Sequence, residues 1–386
     1  MFSASSLSPN VALGPDMVPA WQALVREAAQ RGQSLQIQGG HSKAFYGHVH
    51  NQQATVLSTC AHHGVVSYEP TELVVTVRCG TPLAALEDML ASQGQCLAFE
   101  PPHFGQDTVG GMVAAGLSGP ARASVGAVRD YVLGVQMING KGELLVFGGQ
   151  VMKNVAGYDL SRVMAGSLGQ LGVITEVSLK VMPVPPADAT LKFSLEQGPA
   201  LAQLARWRGQ PLPIHASCWV LDQGVPNLYV RLKGAVAAVR AAAQKMCAEA
   251  EGRNLSEEGM RAQVSQDWRA CQDQTLPFFT QPPSPDMALW RLSVAPTSAV
   301  LNLPATASAP LIEWHGGLRW VWAPLSDEAA LRQTARVAGG HATLMRAPAQ
   351  GPAPSQRFEA ASPAMAAIHQ RLRDAFDPHH IWVART

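Results

Sequence analysis

Hydrophobic positions along the first 180 or so residues switch between a helical period and a strand period, and the switches predict the elements. From Met17 to Gln30 the apolar residues Val18, Trp21, Leu24, Val25 and Ala28 recur at helical spacing and stop at Gly32. Leu35 to Gln38 then reads as a short strand running into Gly39-Gly40. Val65 to Tyr68 and Leu73 to Arg78 are β-branched runs joined by Glu69-Pro70-Thr71. After Gly80 the segment Pro82 to Gln93 returns to helical spacing, with proline near its first turn. Tyr131 to Ile138 and Glu143 to Phe147 flank Asn139-Gly140-Lys141-Gly142, a hairpin signal. A helix from about Tyr158 to Met164 and a strand from Val173 to Val181 complete this half.

Strands that pair through tight turns are mixed with strands separated by helices, so the expected class is α+β and not a doubly wound parallel sheet. Met182-Pro183-Val184-Pro185-Pro186 is a stiff connector, and it sets a first domain at 1–186. Ala347 to Pro354 is a second Pro/Gly-rich connector, which leaves a second domain at 187–346 and a closing segment, 347–386, with a helix from Pro363 to Phe376 and an extended tail. The helix from Ala235 to Ala250 carries Val236, Val239, Ala243 and Met246 on one face. Leu318, Trp320 and Trp322 alternate as a half-buried strand does, although Trp314, Arg319, Trp320 and Trp322 also have the composition of a partner surface.

The chain has 386 residues, enough for two cores, with 29 basic against 28 acidic residues scattered along it. No basic stripe exists, so nucleic acid is not an expected partner. Met1 to Asp16 lacks the basic start and apolar stretch of a secretion signal, and no run of about eighteen apolar residues is present. The expectation is a cytoplasmic chain, peripheral to a membrane only through partners. Six cysteines without a CxxC pair read as reduced, structural thiols, and no metal site is expected.

The candidate chemistry lies in three glycine-rich segments. A dinucleotide pyrophosphate needs backbone N–H groups at close range, which glycine and small residues permit. Gln38-Gly39-Gly40-His41-Ser42-Lys43, Thr108-Val109-Gly110-Gly111-Met112-Val113-Ala114 continuing to Ser118, and Gly166 to Ile174 each meet that need, and each alone could be an ordinary turn. Neither GxGxxG after a strand nor GxxxxGK[ST] is present, which disfavours a nicotinamide Rossmann domain and a P-loop ATPase.

Taken in order, GGHSK, VVTVRCGTPL, EPPHFGQDTVGGMVAAGLSGP, VRDYVLGVQMINGKGELLVFGG and KNVAGYDLSRVMAGSLGQLGVITEVSLKVMP resemble the FAD-binding domain of the vanillyl-alcohol oxidase, or PCMH, type. Gly126 to Asp130, Val151 to Leu160, Trp314 to Trp320 and Gly339 to Thr343 are further similar to the FAD-binding E subunit of bacterial glycolate oxidase, nearly along the whole chain. The resemblance implies an FAD domain of two α+β subdomains followed by an α+β cap-like domain. It implies FAD contacts at Gly39, Gly40, His41, Ser42, Lys43, Gly80, Pro101, Thr108, Gly110, Gly111, Ala114, Ser118, Gly172, Val173 and Ile174. It also implies a complex with a larger flavoprotein D subunit and an iron–sulfur F subunit that oxidises glycolate and passes electrons towards quinone.

Three departures qualify the resemblance. GGH can mark a histidine that tethers FAD covalently, so His41 is either an 8α-histidyl attachment or a loop histidine near phosphate, and the second is preferred. The H-x-G-D-G-N-x-H and E-H-G segments of hydroxy-acid dehydrogenases are absent, and His341 is the nearest candidate for a base. The expected Asn-Pro-Gly-Arg turn near the end is replaced by Asp377-Pro378-His379-His380. A flavoprotein subunit whose partner oxidises the substrate, and a self-contained FAD oxidase, both remain open.

Overall fold

The computed structural model describes residues 11–47, 53–149, 159–351, 354 and 356–383. Two compact units emerge: 1–117, 126–184 and 360–386 make one, and 118–125 with 185–359 make the other. Residues 118–125 thus join the second unit although they lie inside the first domain expected from the connectors. The closing helix and tail join the first.

The first unit is built on a five-stranded antiparallel sheet in the order Val65–Glu69, Val74–Arg78, Val173–Lys180, Val132–Ile138, Leu144–Gly148. Its inner strands are buried almost throughout, polar residues included, because both faces are covered: Val75, Val77, Met137, Val173 and Val177 are fully buried with Leu83, Leu86 and Leu90 of helix Leu83–Ser92. A separate parallel pair, Leu35–Gln38 with Thr55–Ser58, carries the first glycine segment at its end. Helix Val18–Arg31 buries Val18, Trp21, Val25 and Ala28, four of the positions its spacing selects, and ends on left-handed Gly32 (φ 62°).

The second unit is an eight-stranded sheet running Arg253–Asn254, Ala187–Phe193, Val225–Gly234, Ile214–Asp222, Leu311–Glu313, Leu318–Pro324, Met287–Ser293, His341–Arg346. Helices Gln197–Arg208 and Val236–Ala250 cover one end of a face through Leu204, Trp207, Val239 and Met246, and helix Glu328–Val337 covers the other through Leu331 and Ala335. The chain is α+β, as the element order implies.

Two local expectations are corrected. The helix placed from Tyr158 to Met164 is a single 3-10 turn, Arg162–Met164, with Tyr158 and the motif residues 151–158 outside the described residues. Asp159 diverts the local hydrogen bonding by accepting from the Ser161 hydroxyl (2.5 Å), and Gly166 follows with φ 90°. Conversely, the second glycine segment is not a loop but the helix Val109–Ala115, capped by Thr108.

Candidate functional site

Leu35, 1% exposed, anchors the strand that delivers Gly39 and Gly40, and it is held on its far side by the chain's own tail. Leu35 N donates to Ile381 O (2.7 Å), Val383 N donates to Leu35 O (3.0 Å), and Asp377 caps the tail by accepting from the N–H groups of Ile381 (3.1 Å) and Trp382 (2.9 Å). Gly140 N also donates to Phe376 O (2.8 Å). The altered turn at Asp377-Pro378-His379-His380 therefore still seats the tail beside the strand that leads into the cradle.

The first loop then meets the second almost backbone to backbone. A Cβ on Gly40 would stand 1.4 Å from Gln106 O, so no other residue passes there; one on Gly39 would stand 2.5 Å from Thr108 Oγ1. Asp107 joins the two loops. Its buried carboxylate accepts from the Ser42 hydroxyl, the Lys43 ammonium and the backbone N–H of Phe104 (2.6 Å). Phe104 in turn packs edge-on against Phe45, with ring centroids 4.9 Å apart, and lies 5.6 Å from Lys43 Nζ. Lys43 lines the cavity, but its charge is committed to Asp107.

Thr108 takes an extended backbone (φ −112°, ψ 154°), and its hydroxyl accepts from Gly111 N (3.2 Å), which starts helix Val109–Ala115. Gly110 N donates to Cys79 O (2.8 Å), a contact that only glycine allows because a Cβ would meet Cys79 Cβ at 2.7 Å. The third segment is tied to the same helix by Gly166 N to Val113 O (3.0 Å) and Leu168 N to Ala114 O (2.9 Å), and Gly172 turns the chain with φ 143°.

These segments enclose one cavity. Of the residues expected from the sequence, Gly39, Gly40, His41, Ser42, Lys43, Thr108, Gly110, Gly111, Ala114, Gly172 and Ile174 line it. Gly80, Pro101, Ser118 and Val173 do not. Gly80 serves the fold behind the cavity, since a Cβ there would stand 2.2 Å from Thr59 O. Pro101 and Val173 are buried elsewhere in the first unit, and Ser118 belongs to the second. Leu168 and Gly169 of the third glycine segment line the cavity as well, and so do Ile37, Thr59 and Cys79, which lie outside the three segments and whose roles arise from packing. Burial pushes the Cys79 thiol up to about 12, so the cavity floor holds no reactive thiolate.

The cavity fits a dinucleotide on two observations. The position of a Cβ on Gly111 meets only the Thr108 hydroxyl, at 3.1 Å, so that backbone is open to a ligand. The backbone N–H groups of Gly40, His41 and Ser42 form no hydrogen bond to another described residue, which leaves consecutive donors for an anion. His41, exposed and at φ 58°, stands in this donor run.

His341 is the first residue of strand His341–Arg346, at the edge of the eight-stranded sheet, exposed, and not among the lining residues. A different histidine is embedded in the second unit. His315 is buried, and Ser124 Oγ donates to Ile214 O (2.9 Å), so Ser124 must accept from His315 Nε2 (2.8 Å). Ser217 Oγ then donates to Nδ1 (2.9 Å) and accepts from His315 N (3.1 Å). Every polar atom is satisfied only by the neutral ring, and desolvation, followed by the charge of Arg208, lowers the pKa to about 4. Among the described residues no group of three His, Cys, Asp or Glu side chains is placed to hold a metal, and no helix is long and apolar enough to cross a membrane.

A family model described as an FAD binding domain matches residues 9–148, the span of the first two glycine segments. The chain is 42% identical over 355 residues to glycolate oxidase subunit GlcE of Escherichia coli (strain K12), covering 92% of each chain. It is 32% identical over 139 residues to glycolate oxidase subunit GlcD of Bacillus subtilis (strain 168), 36% of this chain and 30% of that one. A solved alkyldihydroxyacetonephosphate synthase shares the fold at TM-score 0.65 and 16% identity, over 93% of this chain and 74% of that one. FAD is the cofactor, and when bound it supplies two-electron redox chemistry that no side chain of the cavity has. A likeness that runs through the cradle and the second unit alike places the chain in the family of the glycolate oxidase subunit GlcE, and it is an FAD-dependent oxidoreductase.

Proposed function

We propose that this chain is the FAD-holding subunit of a multi-subunit glycolate dehydrogenase that oxidises glycolate to glyoxylate and passes electrons towards quinone. In this reading a larger flavoprotein subunit oxidises the substrate and an iron–sulfur subunit carries electrons onward. The single observation behind it is a cavity built from backbone donors and glycine, in a chain that lacks the H-x-G-D-G-N-x-H and E-H-G segments and is alike along 92% of its length to a glycolate oxidase subunit. Gly39 to Ser42 and Thr108 to Gly111 hold the pyrophosphate through main-chain contacts, and Gly172 to Ile174 flank the flavin side. The N–H donors of the first loop give His41 a place beside phosphate, which favours non-covalent FAD.

The test is dye-linked glycolate oxidation by the purified, FAD-loaded chain, alone and with both partner subunits. A positioned base contributes about two to four orders of magnitude to such a proton transfer. The chain alone is therefore expected to turn over at least about a hundredfold more slowly than the reconstituted complex. Robust turnover by the chain alone would replace this reading with the self-contained oxidase.

A further inference from the structure

The second unit contains a cavity of about 650 Å³ whose lining shares no residue with the glycine-lined one. Its size lies within the roughly 300–1,000 Å³ typical of small-molecule sites. Helix Arg261–Gln272 and the short helix Pro277–Thr280 wall it against strands Ile214–Asp222 and Val225–Gly234. The interior is apolar and buried, formed by Cys218, Val264, Trp268, Cys271 and Leu311. Cys271 is a neutral thiol, its pKa raised by the neighbouring Cys218 thiol and by burial, and its Sγ donates to Glu313 Oε1 (3.4 Å). The exposed part of the lining includes two carboxylates, Asp222 and Asp267, the latter also accepting from Gln263 Nε2 (2.9 Å), and no Lys, Arg or His is among the lining residues.

Lys192 Nζ lies 5.6 Å over the Tyr229 ring and the Arg231 guanidinium 4.7 Å over Trp268, so those ring faces are already engaged, and what the lining offers a ligand's charge is the Asp222 and Asp267 carboxylates. The Tyr229 hydroxyl donates to Asp222 Oδ2 (3.0 Å), which turns that proton away from a ligand and leaves carboxylate oxygens as the acceptors at the mouth.

We infer that this cavity binds a small amphiphilic cation, a protonated amine on an apolar body, with the body on the Trp268–Leu311 floor and the ammonium at the Asp222 and Asp267 carboxylates. An anionic hydroxy acid such as glycolate is repelled by the same carboxylates. A neutral molecule of equal shape gains the floor but not the rim. The site is therefore separate from the glycolate reading and stands or falls independently of it.

The test is calorimetric titration of the FAD-loaded full chain with 2-phenylethylammonium, and with 2-phenylethanol and phenylacetate as neutral and anionic counterparts. The cation should bind about tenfold more tightly than the alcohol, the sum of the two rim charges, and phenylacetate should show no binding. The double variant Asp222→Asn/Asp267→Asn, altered only at exposed positions, should bring the cation down to the alcohol's affinity with flavin content unchanged. Val264→Trp, which fills the cavity, should abolish binding of both. Equal affinity for the three probes, no binding of the cation, or a double variant that binds it as the parent does would each overturn the inference.

Discussion

Asp107 shows how much a single residue can decide in the cradle. Its carboxylate is the shared acceptor for Ser42, Lys43 and Phe104 N, so Asp107→Asn leaves the Lys43 ammonium without its charge partner in a largely buried place. Removing one partner of such a pair costs on the order of 3 kcal/mol, and the urea midpoint of the variant should fall accordingly, with flavin lost on gel filtration. An unchanged midpoint would show that the two loops are held otherwise. The sequence hid this residue because GQDTVGG draws attention to its glycines, while the partner of Asp107 lies 64 positions earlier. His315 gives a second residue-scale expectation. Its folded pKa, about 4, lies below its ordinary 6.5, so the unfolded chain binds the extra proton between those values. Stability from this group is complete above about pH 6.5 and is lost as pH falls towards 4, by up to about 3 kcal/mol. His315→Asn can keep the left-handed backbone (φ 54°) and cannot titrate. Its urea midpoint should therefore fall less between pH 7.5 and pH 5 than that of the parent, and parallel pH profiles would remove His315 as the cause.

At the scale of elements, the strong periods were legible and the special turns were not. Val18, Trp21, Val25 and Ala28 could be placed on one helical face because 3.6-residue spacing suffices to bury them, and the Asn139-Gly140 hairpin follows from turn chemistry. Helix Val109–Ala115 was hidden because Gly110 and Gly111 are poor helix formers; the Thr108 cap and the close approach of Gly110 to Cys79, both visible only in three dimensions, carry it. Thr108→Ala removes the hydroxyl that accepts from Gly111 N and should cost about 1 kcal/mol, with a loss of flavin affinity. Thr108→Ser should restore both, and a Ser variant as weak as Ala would show that the methyl group, not the cap, matters. The tail was the least legible element. Asp377 capping Ile381 and Trp382 returns the chain to strand Leu35–Gln38, so truncation after Phe376 should loosen that strand and lower flavin retention, measurable as a smaller bound-flavin ratio after dialysis.

At the scale of the whole molecule, the order of motifs carried the cofactor and family assignments further than any single loop did, since each glycine segment alone is compatible with a turn. The partition into units was only partly legible: prolines at 183–186 mark one crossing, whereas 118–125 leave the first unit without any change of composition. That segment is committed to the second unit by Ser124 on His315 and by Gly119 O accepting from Trp314 Nε1 (2.9 Å), contacts nearly 200 residues apart in sequence. The central claim is that this chain itself holds FAD, non-covalently, against an open glycine backbone. Gly111→Ala tests it with only a small local adjustment, because the added Cβ meets only the Thr108 hydroxyl, at 3.1 Å, which must give by a few tenths of an ångström, and alanine favours the helix by about 1 kcal/mol. The decisive measurement is flavin released to the supernatant on acid precipitation, per chain, for parent and variant at matched thermal stability. About one FAD per parent chain with the pellet colourless, and a loss of at least about tenfold in affinity for Gly111→Ala, is the expected result. Flavin that stays in the pellet, or a variant that retains it in full, would contradict the account.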